Sequence, residues 1–190
     1  MSNNKKVILF SAPSGCGKTT IIGRLLKYFD CFEFSISATS RAPRSGERNG
    51  VDYYYMSTAE FKERVQRGEF LEWEEVYEGT CYGTLRSEIE RIWDNGHVIL
   101  FDVDVKGGMN LKRHFGSNAL SIFVMPPSVE ELERRLRSRG TENEESIARR
   151  LKRSIDELQE SGNFDHTVIN DDLDRAVLEV KKLIEEFIYC

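Results

Sequence analysis

Cysteine is scarce in this chain, and the few cysteines lie far apart. They are Cys16, Cys31, Cys81 and Cys190, with no CxxC pair and no histidine at the spacing of a metal site. Small secreted domains are rich in disulfides, and structural zinc sites need closely spaced ligands. The sequence therefore argues against both kinds of site, and we expect a reduced, cytoplasmic protein.

Long apolar runs and an excess of basic charge are also missing. A membrane-spanning helix needs about 20 apolar residues, and no run approaches that length. Residues 1–6, MSNNKK, lead into an apolar segment too short for the core of a signal peptide. The 27 Lys and Arg against 32 Asp and Glu give a net charge of −5. This balance argues against nucleic acids or anionic membranes as partners, although it does not exclude a local basic cleft.

The apolar residues that are present predict a layered α/β domain. Among 190 residues 39% are hydrophobic, which is enough for one packed core. Short runs rich in β-branched residues predict buried strands at 7–11, 98–102, 119–125 and 167–169. Helical periodicity alternates with them, at 19–29, 89–94, 128–138, 147–158 and 176–187. This alternation predicts a parallel sheet covered on both faces.

An aromatic and basic stretch from about residue 34 to 86 interrupts the alternation. Strands are predicted at 53–56, 70–73 and 76–77. Ser57 and Glu60 form a capping box that opens a short helix, which ends near Gly68. We interpret the stretch as a small insertion with its own sheet.

A phosphate-binding loop is predicted at residues 12–19, APSGCGKT, between the first strand and the first helix. Small residues let successive backbone N–H groups curl around phosphate oxygens at a helix N-terminus. Lys18 would reach the β- and γ-phosphates, and the Thr19 hydroxyl would ligate Mg²⁺. An ordinary strand-to-helix turn is the alternative.

Two carboxylates, Asp102 and Asp104, follow the buried strand at 98–101. The carboxyl ends of parallel strands face the ligand crevice, so both would point toward a bound nucleotide. Asp102 would orient Mg²⁺ through water or accept hydrogen bonds from the nucleotide. Asp104 has an equally good alternative, which is to cap the next turn.

Two arginine clusters are candidates for further anion binding. Arg41 and Arg44 lie in a loop with hydroxyl residues and suit bidentate capture of a second phosphate. Arg135, Arg139, Arg149 and Arg150 flank a short polar segment, as expected of a lid that closes over a transferring phosphoryl group. Solvated charged surfaces are the alternative in both places, above all for Arg134, Arg137 and Arg153.

Taken together, these segments resemble the guanylate kinase family, in order and over essentially the whole chain. The matching segments are SGCGKT at 14–19, TSRAPR at 39–44, ERNGVDY at 47–53, FLEW at 70–73, YGT at 82–84, DVD at 102–104, RGTE at 139–142 and VIND at 168–171. The resemblance implies an α/β, P-loop NTPase-type parallel sheet flanked by helices. It also implies a single domain over 1–190, with a core at about 1–34, 86–134 and 152–190, an inserted GMP-binding lobe at about 35–85 and a lid at about 135–151.

The activity that the resemblance implies is ATP + GMP → ADP + GDP, with dGMP as a further acceptor, Mg²⁺ as cofactor, and a monomer or homodimer. The implied ATP-binding residues are Ala12, Pro13, Ser14, Gly15, Cys16, Gly17, Lys18, Thr19 and Thr20, with Asn170 near adenine. The implied GMP-binding residues are Ser37, Arg41, Arg44, Tyr53 and Tyr82 at the phosphate, Glu72 and Thr84 at guanine, and Asp102 and Asp104 nearby. The implied catalytic residues are Lys18, Arg41, Arg135, Arg139 and Arg150. Ala12 replaces a more usual Gly, and Thr84 stands where the family often has Ser.

The chemistry of the residues agrees with these roles. An ionised Glu72 can accept hydrogen bonds from N1–H and the 2-amino group of guanine, whereas adenine would leave it unpaired. A GMP phosphate oxygen is already largely anionic near neutral pH. No general base is then required, in keeping with the absence of a convincing catalytic histidine among His97, His114 and His166.

Three alternatives remain open at the level of sequence. The chain could be a non-enzymatic module that binds phosphopeptides, although the GKT of its phosphate loop and its lid arginines are intact. It could be a related kinase for another nucleotide or a sugar phosphate, although Glu72 with Thr84 favours guanine. Cys16, beside a helix N-terminus, is either an oxidant-sensitive thiol or a small residue that fills the loop.

Overall fold

The computed structural model describes residues 5–138 and 144–189. They form two compact units, one of residues up to Phe32 and from Leu100 onward, the other of Glu33–Ile99. The strands are β1 Val7–Ser11, β2 Phe32–Phe34, β3 Ala38–Thr39, β4 Tyr54–Tyr55, β5 Phe70–Tyr77, β6 Thr80–Leu85, β7 Val98–Val103, β8 Ala119–Met125 and β9 His166–Ile169. The helices are α1 Lys18–Leu25, α2 Thr58–Gln66, α3 Arg86–Asp94, α4 Val105–Phe115, α5 Val129–Arg137, α6 Glu144–Leu158 and α7 Leu173–Tyr189. Within the described residues, none of these helices is both long and apolar enough to cross a membrane.

The central sheet has five strands in the order β2-β7-β1-β8-β9, and β8 pairs in parallel with both β1 and β9. All of β1 is buried, as is β8 except at Met125. Helix α4 packs against β1 and β8, α7 packs against β8 and β9, and α1 packs against α7. Continuous apolar strands covered by helices are typical of parallel sheets, and the predicted fold class is confirmed.

Helix α4 is one element that the sequence analysis did not predict. Asp104 is its N-cap, and the Asp104 carboxylate accepts a hydrogen bond of 2.7 Å from the backbone N–H of Gly107. Two adjacent glycines weaken the helical pattern. A Cβ at Gly108 would lie 2.5 Å from Ser11 Oγ, so the missing side chain lets α4 approach β1 closely. The capping alternative for Asp104 is therefore realised.

The second unit contains a four-stranded sheet in the order β4-β3-β6-β5. The single strand β5 replaces the two short strands predicted at 70–73 and 76–77, and it pairs antiparallel with β6, which the sequence analysis did not predict. Glu74 and Glu75 break the apolar pattern of β5, but they lie opposite Tyr82 and Cys81 of β6. Cross-strand pairing thus continues the strand where hydrophobicity alone predicts a gap.

Helix α2 supplies one side of this unit's core. Its predicted cap is confirmed, because Ser57 Oγ accepts a hydrogen bond of 3.1 Å from Glu60 N–H. Phe61 of α2 is fully buried and stacks on Phe70 of β5, with ring centroids 4.3 Å apart. The predicted insertion therefore has its own apolar cluster.

The second unit extends beyond the predicted lobe, since it also includes α3, Arg86–Asp94, which the resemblance assigns to the core. The reason lies in the buried carboxylate of Glu88 on α3. It accepts hydrogen bonds of 2.9 Å from both the Ile36 N–H and the Tyr54 hydroxyl, and it pairs with Arg91 at 2.8 Å. These bonds fasten α3 to the sheet of the second unit.

Candidate active site

The phosphate loop joins β1 to α1, and its backbone leaves the helix N-terminus uncapped by any side chain. Gly17 is the N-cap residue with φ +88°, and Gly15 has φ +98°. Both values lie in the left-handed region that favours glycine. The first N–H groups of a helix lack partners within it and attract anions. Ser14, Thr19 and Thr20 are exposed around this N-terminus.

Lys18 begins α1, and its ammonium group is held at the end of β7. Lys18 Nζ lies 2.5 Å from Asp102 Oδ1 and donates a hydrogen bond of 2.8 Å to the Val103 carbonyl. The side chains of Lys18 and Asp102 are only 14% and 21% exposed. The structure therefore brings together the loop lysine and the predicted strand-end carboxylate.

Asn170 lies just after β9, and its side chain contacts the phosphate loop. Its side-chain amide donates a hydrogen bond of 2.8 Å to the Cys16 carbonyl, and Arg135 of α5 donates one of 3.0 Å to the Asn170 carbonyl. Arg135 also pairs with Glu131 at 2.7 Å. The family resemblance assigns Asn170 to adenine and Arg135 to catalysis, and here both are part of a network beneath the phosphate loop.

Cys16 itself is fully buried, and this decides between its two interpretations. Burial raises the pKa of its thiol to about 12, although Arg135 and Lys18 act in the opposite direction. A thiol of this kind is not ionised near neutral pH and is a poor nucleophile. Cys16 fills the loop, and the structure gives no support to an oxidant-sensitive thiolate.

The arginines in and beside the predicted lid fall in three different situations. Arg150 of α6 donates a hydrogen bond to Ser14 Oγ of the phosphate loop. Arg134 and Arg137 form exposed ion pairs along α5 with Glu131 and Glu133, as the solvated-surface alternative predicts. Arg139 and the segment 140–142 lie outside the described residues.

In the second unit, Arg41 is the centre of a polar and aromatic cluster. Its guanidinium forms a bidentate pair with Glu47, both N···O distances being 3.0 Å, and its Nε donates to the Tyr82 hydroxyl at 3.2 Å. The ring of Tyr53 lies 5.4 Å from the guanidinium carbon, and Tyr53 and Tyr82 meet edge to face. Arg41, Tyr53 and Tyr82 are thus brought together as the resemblance implies.

Glu47 is the member of this cluster to which sequence analysis assigned no role. Besides Arg41, it accepts hydrogen bonds of 2.6 Å from Arg44 N–H and 2.8 Å from the Tyr55 hydroxyl. The bond from Arg41 is the main cause that lowers the Glu47 pKa to about 2. The Arg44 side chain is exposed, and the Ser37 carbonyl accepts a hydrogen bond of 2.9 Å from Tyr54 N–H beside β3. The hint in the sequence is that Glu47 lies in a short loop with three arginines, Arg41, Arg44 and Arg48.

Glu72 and Thr84 lie directly opposite each other on β5 and β6. The Thr84 hydroxyl, fully buried, donates a hydrogen bond of 2.7 Å to Glu72 Oε1. This bond orients the carboxylate, and an ionised carboxylate can only accept hydrogen bonds. The structure thus joins the two residues that the resemblance assigns to guanine.

Comparison with known proteins agrees with this geometry. The family model described as guanylate kinase matches residues 4–187. The chain belongs to the guanylate kinase family. The guanylate kinase of Bacteroides fragilis is 49% identical to it, over 96% of this chain and 90% of that protein. The guanylate kinase of Salinibacter ruber is also 49% identical, over 97% of this chain and 98% of that protein. The crystal structure of guanylate kinase from Anaplasma phagocytophilum superposes with a TM-score of 0.77 at 29% identity, covering 95% of this chain and 85% of that one. As a member of this family, the chain is a kinase.

The donor atoms at the loop suit a magnesium ion that arrives with a nucleotide. Mg²⁺ prefers oxygen ligands and usually binds through one or two protein groups together with substrate phosphates. Thr19 offers an exposed hydroxyl, and Asp102 offers a carboxylate at the end of β7. Within 5–138 and 144–189, no three His, Cys, Asp or Glu side chains gather into a metal-binding group. The residues present fit a nucleotide-borne ion.

Proposed function

We propose that the chain transfers the γ-phosphoryl group of MgATP to GMP, and also to dGMP, giving ADP and GDP or dGDP for purine nucleotide metabolism. The observation that carries this proposal is the Thr84–Glu72 hydrogen bond, which presents an oriented carboxylate to a base. Guanine offers two N–H donors on one edge to such a carboxylate, and adenine does not. Family membership supports the same reaction.

The ATP phosphates would bind at the uncapped N-terminus of α1. Lys18 would leave Asp102 and contact the β- and γ-phosphates, because a polyphosphate carries more charge than one carboxylate. Arg150, which donates a hydrogen bond to Ser14 of the loop, would contact the phosphates there. When bound with ATP, Mg²⁺ neutralises charge on the β- and γ-phosphates. Thr19 would hold the ion directly and Asp102 through water.

The GMP phosphate would bind in the Arg41 cluster. Arg41, Tyr53 and Tyr82, which contact one another, would supply donors to it, and Arg44 and Ser37 would complete the set. Glu72 and Thr84 would then read guanine. Asp102, released by Lys18, would lie near the GMP acceptor. Asp104 would contact GMP only through Oδ2, because its Oδ1 caps α4.

Catalysis in this proposal consists of alignment and charge neutralisation. The attacking oxygen of GMP is already anionic, so no side chain has to remove a proton. Lys18, Arg41, Arg135, Arg139 and Arg150 would stabilise the charge of the transferring group. Closure of the lobe at about 35–85 and of the lid at about 135–151 over the core would exclude water, which otherwise hydrolyses ATP.

A substrate panel tests the proposal. Each nucleoside monophosphate is incubated with MgATP, and ADP and the diphosphate product are quantified by chromatography. The proposal predicts stoichiometric ADP and GDP or dGDP with GMP or dGMP alone. Turnover of another monophosphate would identify a related kinase, and no turnover would favour a binding module. A cytoplasmic location and a monomeric or dimeric state are further predictions, which this panel does not measure.

A further inference from the structure

Asn170 makes three hydrogen bonds that connect the end of the sheet to the phosphate loop. Its N–H donates to the Met125 carbonyl at 2.8 Å, so the residue continues the pairing of β9 with β8. Its carbonyl accepts from Arg135 at 3.0 Å, and its side-chain amide donates to the Cys16 carbonyl at 2.8 Å. The residue is only 6% exposed.

The loop lies directly on this amide. A Cβ at Gly17 would approach Asn170 Nδ2 to 2.2 Å, so the Asn170 amide or the loop would have to move. Gly17 also has φ +88°, which a side chain rarely adopts. Two constraints therefore place glycine here, and one of them is the position of Asn170.

The direction of the Cys16 carbonyl matters for anion binding. A loop that binds phosphate must turn its N–H groups toward the anion, and this points some carbonyls the other way, into the protein. A buried carbonyl without a donor is costly. The Asn170 amide supplies that donor, and it thereby favours the orientation of the 16–17 peptide in which N–H groups face the ligand.

We propose that Asn170 is a positioning residue that holds the phosphate loop in its anion-binding form through the Cys16 carbonyl. This role differs from contact with adenine, which the family resemblance implies for Asn170. It rests on the proposed function only in taking the loop as the ATP site. Arg135 supports the same arrangement by bonding the Asn170 carbonyl from α5.

The test compares ligands with and without a base. Asn170→Asp keeps the size of the side chain but removes the amide donor and sets a carboxylate oxygen against the Cys16 carbonyl. Calorimetry measures the Kd of ATP, of inorganic tripolyphosphate and of GMP. We expect the Kd of ATP and of tripolyphosphate to rise by the same factor, about tenfold or more, while that of GMP is unchanged. Because binding is measured without turnover, the result does not depend on which acceptor the enzyme uses.

The matched control is Asn118→Asp, which makes the same atomic change at an exposed position before β8 and should leave all three constants unchanged. Circular dichroism and thermal unfolding establish that each variant folds, and Asn170→Ser replaces Asn170→Asp if the latter does not. A weaker ATP complex with unchanged tripolyphosphate binding would assign Asn170 to adenine and overturn the proposal. Unchanged binding of both ligands would overturn it as well.

Discussion

Lys18 Nζ and Asp102 Oδ1 lie 2.5 Å apart, so the lysine of the phosphate loop is paired with a carboxylate of β7. The lysine cannot serve the ATP phosphates fully while this pair persists. If Lys18 binds the ATP phosphates as proposed, it would release Asp102 when ATP binds. The proposed function thus predicts that this pair links the binding of ATP to the use of the acceptor.

Asp102→Asn tests this coupling, because the amide keeps the shape of the side chain and removes the competing charge. We expect the Kd of ATP to fall several-fold, since Lys18 no longer has to leave a carboxylate, while kcat with GMP falls about tenfold or more. Titration calorimetry and steady-state rates measure the two effects. Asp94→Asn, exposed at the end of α3, is the matched control. Weaker ATP binding in Asp102→Asn would contradict a competitive role for the carboxylate.

Glu47→Gln tests the arginine cluster. The bidentate pair fixes the Arg41 guanidinium, and a neutral amide cannot match both of its N–H groups. We expect the KM for GMP to rise about tenfold while the KM for ATP stays as in the native enzyme. Glu60→Gln, which weakens a partly exposed pair with Arg64 on α2, should change neither constant. A lower KM for GMP in Glu47→Gln would show instead that Glu47 competes with the substrate phosphate.

Thr84→Val removes the hydroxyl that orients Glu72 and keeps the size of the side chain. Without this donor the Glu72 carboxylate is less precisely oriented, so we expect the KM for GMP to rise about tenfold with little change in ATP binding. Thr84→Ser keeps the donor and should behave as the native enzyme does. Initial rates over a range of GMP concentrations measure both variants. Equal behaviour of the valine and serine variants would remove Thr84 from base recognition.

Stability should decrease in acid because several carboxylates are hydrogen-bonded in the folded chain. Burial raises the pKa of Glu33, but hydrogen bonds from His97, Arg91 and Asn95 outweigh it and lower the value from 4.5 to about 2. Hydrogen bonds from Arg134 and Arg135 lower the pKa of Glu131 to about 2 as well. Groups with a lowered pKa stabilise the fold above the unfolded value, and this contribution is lost as the pH falls from 4.5 toward 2.

Thermal unfolding between pH 3 and pH 7 measures this effect. The midpoint of the native protein should be steady near neutral pH and decrease below about pH 5. Glu33→Gln should start from a lower midpoint and decrease less steeply, since one titrating group is gone. Glu90→Gln, on an exposed part of α3, controls for the loss of one carboxylate. The same acid slope in native protein and in Glu33→Gln would refute the assignment to Glu33.

The elements that sequence predicted are those in which one local pattern decides the structure. The apolar runs of β1 and β8 and the Ser57 cap of α2 needed no knowledge of the rest of the chain. Strand β3 is two residues long, and α4 contains Gly107 and Gly108, so neither has a clear periodicity. Both elements are stabilised by tertiary contacts: β3 pairs with β4 and β6, and α4 packs against β1 and β8.

The same distinction applies to the candidate site. The small residues and lysine of the phosphate loop are contiguous, so sequence alone predicts them together. The Arg41–Glu47 pair and the Asn170–Cys16 hydrogen bond join residues whose proximity depends on folding. Their chemistry is ordinary, and only the structure shows which partner each residue has.

The most direct test of the account is the conversion of GMP by the purified protein. With MgATP and GMP, we predict that GDP and ADP appear in equal amounts, and that Lys18→Ala reduces the rate at least about a hundredfold while the protein stays folded. ADP formed without GDP, or no reaction with the native protein, would contradict the central claim that this chain transfers phosphate from ATP to GMP.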